Sequence, residues 1–169
     1  RDADRYLSAP VAIEDKPYEQ RRDPMWVDLA SSHAVVVGGP QSGKSTLLRT
    51  LIASLSLTHS PKEVQFYCID FGGGTLAGLS DLPHVGSVAT RMDTERLRRT
   101  VAQINGLIDE REAHFTAHRI DSMNTYRRKV AAGDDPGDGY GDVVLVVDGW
   151  GTIRQEHEQL ETQITKIAT

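Results

Sequence analysis

Apolar positions along the chain fall alternately into short continuous runs and into ladders with helical spacing. Ala34-Val35-Val36-Val37 is wholly apolar, β-branched, too short for a helix and followed by glycines, which predicts a buried parallel strand. Leu47, Leu48, Leu51, Ile52 and Leu55 then recur at the three-four spacing of a helix. Val64–Ile69 reads as a second strand, Val85–Ala89 as a weaker third, and Met25–Leu29 as a short edge strand. Asp93 is placed to cap a long helix whose inner face carries Leu97, Val101, Ile104, Ile108 and Phe115. Met123, Tyr126 and Val130 mark a shorter helix that Gly133 stops. Gly133–Gly141, rich in Gly and Asp, is expected as a surface loop, and Val143–Val147 as another buried strand. Ile153, His157, Leu160, Ile164 and Ile167 pattern one last helix. Strands alternating with helices predict an α/β fold, a parallel sheet within three layers. Residues 1–24 mix charges with Pro10, Pro17 and Pro24 without sustained period, and are expected as a linker or arm before a core over residues 25–169.

Composition narrows the function classes. The net charge of −5 argues against a dedicated nucleic-acid binder, which neutralises phosphates with excess Lys and Arg. The apolar runs are far shorter than a membrane span, and no apolar leader opens the chain. Cys68, the one cysteine, lies in a strand-like run and reads as a small buried hydrophobe in a reducing, cytosolic setting.

Chemistry is concentrated where the first apolar run meets the first helix. Gly38-Gly39-Pro40-Gln41-Ser42-Gly43-Lys44-Ser45 matches GxxxxGK(S/T), the Walker A pattern of P-loop nucleotide-binding proteins. Glycines let consecutive N–H groups curl around one anion, and the positive end of the helix that follows adds to the attraction. On this reading Lys44 reaches the β and γ phosphates of ATP, Ser45 takes a place on Mg2+, and Thr46 is a further phosphate contact. A chance glycine turn is the alternative, but it seldom sits between a buried strand and a leucine-faced helix. Val143-Val144-Leu145-Val146-Val147-Asp148 ends an apolar strand in an acid, the Walker B arrangement, and places Asp148 beside Ser45 as the second metal-holding residue. Asp148 as a plain strand end or helix cap is the competing reading. Asp70 also ends a strand, but Gly72-Gly73-Gly74 follows it closely, so a structural role is expected there. Efficient ATPases usually place a carboxylate after the Walker B acid to orient the attacking water. Gly149 stands at that position, so binding is favoured over turnover and no residue is assigned as catalytic.

The strings VVVGGPQSGKSTLLRTL, QFYCIDFGGGTLAGLSDLPHVGSVA and DVVLVVDGWGTIRQEHEQLE resemble the ATPase modules of the type VII (ESX) secretion motors, the EccC family. That family lies within the FtsK/SpoIIIE group of RecA-like P-loop ATPases. The likeness runs from about Lys16 to Glu161 and is strongest to a middle, second module. It implies the cytoplasmic part of a membrane-anchored, hexameric complex that exports small helical proteins. Its partners would be the other ATPase modules and the membrane components of the complex, with no nucleic acid and with the isolated chain monomeric. Lys44, Ser45 and Asp148 match the family's nucleotide and Mg2+ positions, while its catalytic Glu has no counterpart at Gly149. A complete module continues after Walker B with further strands, so the core is expected to be truncated after the helix that follows. An ATP-hydrolysing DNA translocase of the same group is the alternative reading, and a small-molecule kinase a more distant one.

Other features have plainer readings. Arg96, Arg98 and Arg99, and the cluster Arg127, Arg128 and Lys129, are expected as solvated helix faces, with an arginine reaching a neighbouring subunit's phosphates as the alternative. No paired metal-ligand spacing is read among the six histidines, so no metal beyond Mg2+ is expected. Trp26 and Trp150 are core or interface anchors, and Tyr18 a linker aromatic rather than an adenine platform.

Overall fold

The computed structural model describes residues 6–168. In chain order it holds β1 (Ser8–Lys16), β2 (Arg21–Asp28), α1 (Lys44–Thr58), β3 (Val64–Asp70), β4 (Val85–Thr90), α2 (Thr94–His118), α3 (Met123–Ala132), β5 (Asp142–Asp148), α4 (Trp150–Glu156) and α5 (Glu158–Ile167). β3 is the central strand of a parallel sheet in the order β4-β3-β5. Side chains alternate across it. Val64, Phe66 and Cys68 pack with Val146, Val88 and the α1 residues Leu51, Ile52 and Leu55 on one face. Ile69 and Ala89 pack with Leu97 and Val101 of α2, and with Ile153, Leu160 and Ile164 of α4 and α5, on the other. Burial on both faces accounts for strands that read as continuous apolar runs. Cys68 is wholly buried, and burial, helped by the charge of Asp70, pushes its thiol up to about 12, so it stays an unreactive thiol.

Three expectations about the elements change. Ala34–Val37 is not a strand: it takes part in no ladder, and Val35 and Val37 are 85% and 89% exposed. A four-residue strand makes few ladder bonds, and it needs both a partner edge and cover on two faces before its apolar side chains gain from burial. Secondly, the arm is structured over residues 6–24, residues 1–5 lying outside the described residues. β1 and β2 form an antiparallel hairpin, and its base sends Leu7, Ala9 and Val11 into the core beneath α1. The division expected between residues 24 and 25 falls inside β2. Tyr18, at the hairpin tip, is fully exposed. Thirdly, the last helix is two. His157 adopts φ −140° and ψ 64°, which breaks the helix while keeping Ile153 and Leu160 on the same core.

The helix caps follow the sequence closely. Asp93 accepts from Arg96 N at the start of α2, Ser122 accepts from Thr125 N at the start of α3, and Gly133 ends α3 in the left-handed conformation. Beyond α3 the Gly/Asp loop is tied down. Asp138 accepts from Arg111 Nε (2.6 Å), Tyr126 Oη (2.7 Å) and Tyr140 N (3.0 Å). Burial works to raise the Asp138 carboxyl, but the Arg111 and Tyr126 bonds outweigh it and hold it below its usual range.

Arg127 departs from the solvated face expected of it. Its guanidinium forks onto Asp142 (Nη2–Oδ1 2.6 Å, Nε–Oδ2 3.0 Å) and lies 5.0 Å from the Tyr6 ring centre. Tyr6 Oη donates to Asp142 Oδ2 at 2.7 Å, so one carboxylate ties the N-terminal segment and α3 to the first residue of β5. Its side chain is 10% exposed, which limits screening by water. Asp142→Ala leaves an arginine and a phenol short of their partner, and is expected to lower unfolding free energy by about 2–3 kcal/mol. Urea denaturation measures this, and a change below about 0.5 kcal/mol, typical of surface positions, would show the network to be dispensable.

Candidate nucleotide-binding site

Residues 38–43 form an exposed loop leading directly into α1. One of its glycines is required by backbone geometry and another lies close to a side chain. Gly43 has φ +88°, the left-handed region, and a Cβ on Gly38 would fall 2.5 Å from Ser42 Oγ. No side chain caps α1, so the amides of its first turn keep their capacity for an anion. Lys44 folds back over the loop and donates to the carbonyls of Gly38 (2.9 Å) and Gly39 (2.5 Å). The ammonium is thus held above the amides by two weak acceptors that a phosphate oxygen can replace.

The two strand-end acids, Asp70 and Asp148, are register partners on β3 and β5, yet their surroundings differ. Asp70, 2% exposed, is saturated: Oδ1 accepts from Gly72 N and Gly74 N (both 3.1 Å), and Oδ2 from Leu76 N (2.8 Å). It organises the glycine-rich turn after β3, the structural role expected of it. Asp148 is 5% exposed, and its Oδ2 is buried without a hydrogen-bond partner among the described residues. A carboxylate oxygen in that condition destabilises the fold unless a ligand compensates it. The carboxylate lies against Gly72, where an added Cβ would fall 2.5 Å from Asp148 Cγ. This reason for Gly72 was not visible in the sequence, where the three glycines looked alike.

Gly149 is constrained as tightly. Its φ is +82°, and a Cβ there would sit 2.7 Å from the carbonyl carbon of Phe71 and 2.9 Å from its oxygen. Phe71 N donates to Asp148 O at 2.9 Å, which holds the two chains at that separation. Neither Lys44 nor Ser45 hydrogen-bonds Asp148 among the described residues. The glycine loop closes on Lys44, and Asp148 faces the turn after β3. Arg91 pairs with Glu156, and Arg99 with Glu95, across exposed surfaces.

The FtsK/SpoIIIE pattern matches residues 5–168, nearly the whole chain. The chain belongs to the FtsK/SpoIIIE family. Among curated relatives it is 62% identical to the ESX secretion system protein EccC of Thermomonospora curvata, over 96% of this chain and 12% of that protein. It is 46% identical to the ESX-4 secretion system protein EccC4 of Mycobacterium tuberculosis, over 96% of this chain and 13% of that one. The chain therefore spans about an eighth of the length of these relatives. Among solved structures it resembles Thermomonospora curvata EccC (ATPases 2 and 3) in complex with a signal sequence peptide, with TM-score 0.90, 61% identity, and coverage of 96% of this chain and 30% of that one. EssC (ATPases 2 and 3) from Geobacillus thermodenitrificans, with TM-score 0.80 at 19% identity over 96% of this chain and 30% of that one, shares the fold. As in a P-loop ATPase core of this family, the sheet is parallel and lies between helices. No helix among the described residues is long and apolar enough to cross a membrane.

The two acids yield opposite expectations for stability. Asp70→Ala strands three amides and is expected to lower unfolding free energy by about 2–4 kcal/mol. Asp148→Ala removes a buried oxygen without a partner, so in the absence of nucleotide it is expected to leave stability unchanged or raise it by up to about 1 kcal/mol. Thermal and urea unfolding of both variants decide the matter, and equal losses would contradict the contrast.

Proposed function

We propose that the chain is a Mg-ATP-binding module of a type VII protein-secretion motor, with weak or no hydrolysis of its own. The observation that carries this reading is the junction of Asp148 and Gly149: a buried carboxylate oxygen without a partner, followed by a position with no room for a side chain. The unpaired oxygen and the uncapped first turn of α1 fit a magnesium nucleotide. Gly38, Gly39, Pro40, Gln41, Ser42 and Gly43 would present the phosphate-binding backbone, and Lys44 its charge. Ser45 and Asp148 would hold Mg2+, and Thr46 would add a phosphate contact. Bound Mg2+ supplies charge neutralisation at the phosphate oxygens.

The missing base is a consequence of packing. A carboxylate that orients water typically contributes about 10²–10⁴-fold to rate. At residue 149 its side chain would have to occupy the main chain of Phe71. Binding energy at this site then goes into stabilising one arrangement of the protein. Likeness to secretion-system relatives supports a place in such a motor. The companions would be further ATPase modules and membrane components of the complex, working as a hexamer at the cytoplasmic face on small helical secreted proteins. The acidic net charge favours this reading over a DNA translocase, and the absence of a gel shift with double-stranded DNA at low salt would distinguish them.

Lys44→Ala is expected to weaken ATP binding about 100-fold, the equivalent of one charge-assisted contact of about 3 kcal/mol, while the melting temperature without nucleotide stays near that of the parent. An undiminished Mg-ATP thermal shift in this variant would count against the P-loop assignment. The parent is expected to saturate with Mg-ATP while releasing phosphate at well under about one turnover per second. Gly149→Glu is expected to restore no turnover and to lose at least about 2 kcal/mol of stability, from a left-handed backbone and the Phe71 clash combined. A folded Gly149→Glu protein with parental stability and rapid phosphate release would overturn the reading.

A further inference from the structure

The end of α2 carries a pair of histidines whose spacing escaped the sequence reading. His114 and His118 are four residues apart, hence on one face of the helix, with rings stacked at 4.1 Å between centres and 24° between planes. Asp135, from the loop after α3, meets them: His114 Nε2 lies 2.8 Å from its Oδ1. One donor atom from each of the three residues lies within 4.8 Å of the other two. We propose that His114, His118 and Asp135 form a binding site for a divalent transition-metal ion of the Zn2+ type, separate from the nucleotide site.

Two of the three donors are oriented by a second contact. His118 Nδ1 lies 3.0 Å from the carbonyl of His114. A carbonyl only accepts, so that nitrogen carries the proton and Nε2 keeps its lone pair for a metal. This is the arrangement in which metal-bound histidines are usually held. Asp135 is held in the same way. Its Oδ1 also accepts from Gly137 N at 2.8 Å, and its side chain is only 2% exposed. The His114 side chain is 14% exposed, so two of the donors sit in a partly dehydrated cleft while His118 opens to solvent. Two imidazoles and one carboxylate suit Zn2+, with water as a fourth ligand, and suit Mg2+ poorly. The metal takes the place of the proton between His114 and Asp135, which passes to solvent or to the other ring nitrogen. Metal distance would be reached by side-chain rotation, chiefly of His118, which is exposed and whose ring, among the described residues, bonds to its own helix. The bound ion would pin the last turn of α2 to the loop that leads into β5.

The test is titration of the chelator-stripped chain with Zn2+, without nucleotide, by calorimetry and thermal unfolding, with Co2+ as a spectroscopic substitute. The expected result is a single equivalent bound, a raised melting temperature, and the intense visible absorption of tetrahedral Co2+. His118→Ala, whose ring makes its hydrogen bond and stacking contact within α2, is expected to weaken Zn2+ at least about 100-fold, beyond the usual effect of losing an outer-shell partner. Asp135→Asn, checked for folding by circular dichroism, should show a loss of similar size. His33→Ala, an exposed histidine elsewhere, should bind as the parent does, and Mg2+ should not compete. Absence of binding in the parent overturns the proposal. So does parental affinity in His118→Ala, which would place the ion elsewhere, or in Asp135→Asn, which would leave only a surface histidine pair.

Discussion

The hydrogen bond from Phe71 N–H to the carbonyl of Asp148 carries the β3–β5 ladder one step beyond the strands themselves. The geometry of the candidate site depends on that continuation. It keeps the two chains at strand separation just where each would otherwise turn away. Gly72 then lies on the Asp148 carboxylate and Gly149 under the Phe71 main chain, and neither position has room for a Cβ. The same bond that fixes the acid therefore denies it an acidic neighbour. The proposal of binding without turnover rests on how close the two segments run.

Two aspartates at matching ends of neighbouring strands illustrate how surroundings decide chemistry. Asp70 spends its acceptor capacity on three backbone amides and shapes a turn. Asp148 is buried to nearly the same extent and retains an oxygen with no partner. An unsatisfied buried polar atom costs about 1–3 kcal/mol, and more when charged. Of the two acids, only Asp148 keeps acceptor capacity that a ligand could use.

β5 is restrained at both ends. At its start Asp142 is gripped by Arg127 and Tyr6, and at its finish the Phe71 bond holds Asp148. Between them Val144 and Val146 face α1, while Leu145 and Val147 face α2, α4 and α5. The polar network around Arg111, Tyr126 and Asp138 braces α2 and α3 against the loop that delivers the chain to this strand. Stability around the site therefore draws on apolar layers for its bulk and on a few charge-assisted bonds for its alignment.

Local signals were enough for much of this. Hydrophobic period marked β3, β4, β5 and α1 to α3, and Asp93 and Gly133 set helix ends, because these preferences operate within a few residues. Gly43, Lys44 and Ser45 announced the loop because a P-loop's geometry is encoded in its own backbone. Tertiary structure alone decided the rest. Ala34–Val37 has the composition of a strand, yet a strand exists only with a partner edge, which composition does not supply. Arg127 looked like a surface charge because its partner, Asp142, is fifteen residues away and approaches only through the fold. His157 fits a continuous helical pattern, and at the break its ring meets that of Phe71 edge-on, a contact from another part of the chain. Gly149 could be read as the absence of an acid; that no acid can stand there required the position of Phe71, seventy-eight residues earlier in the chain.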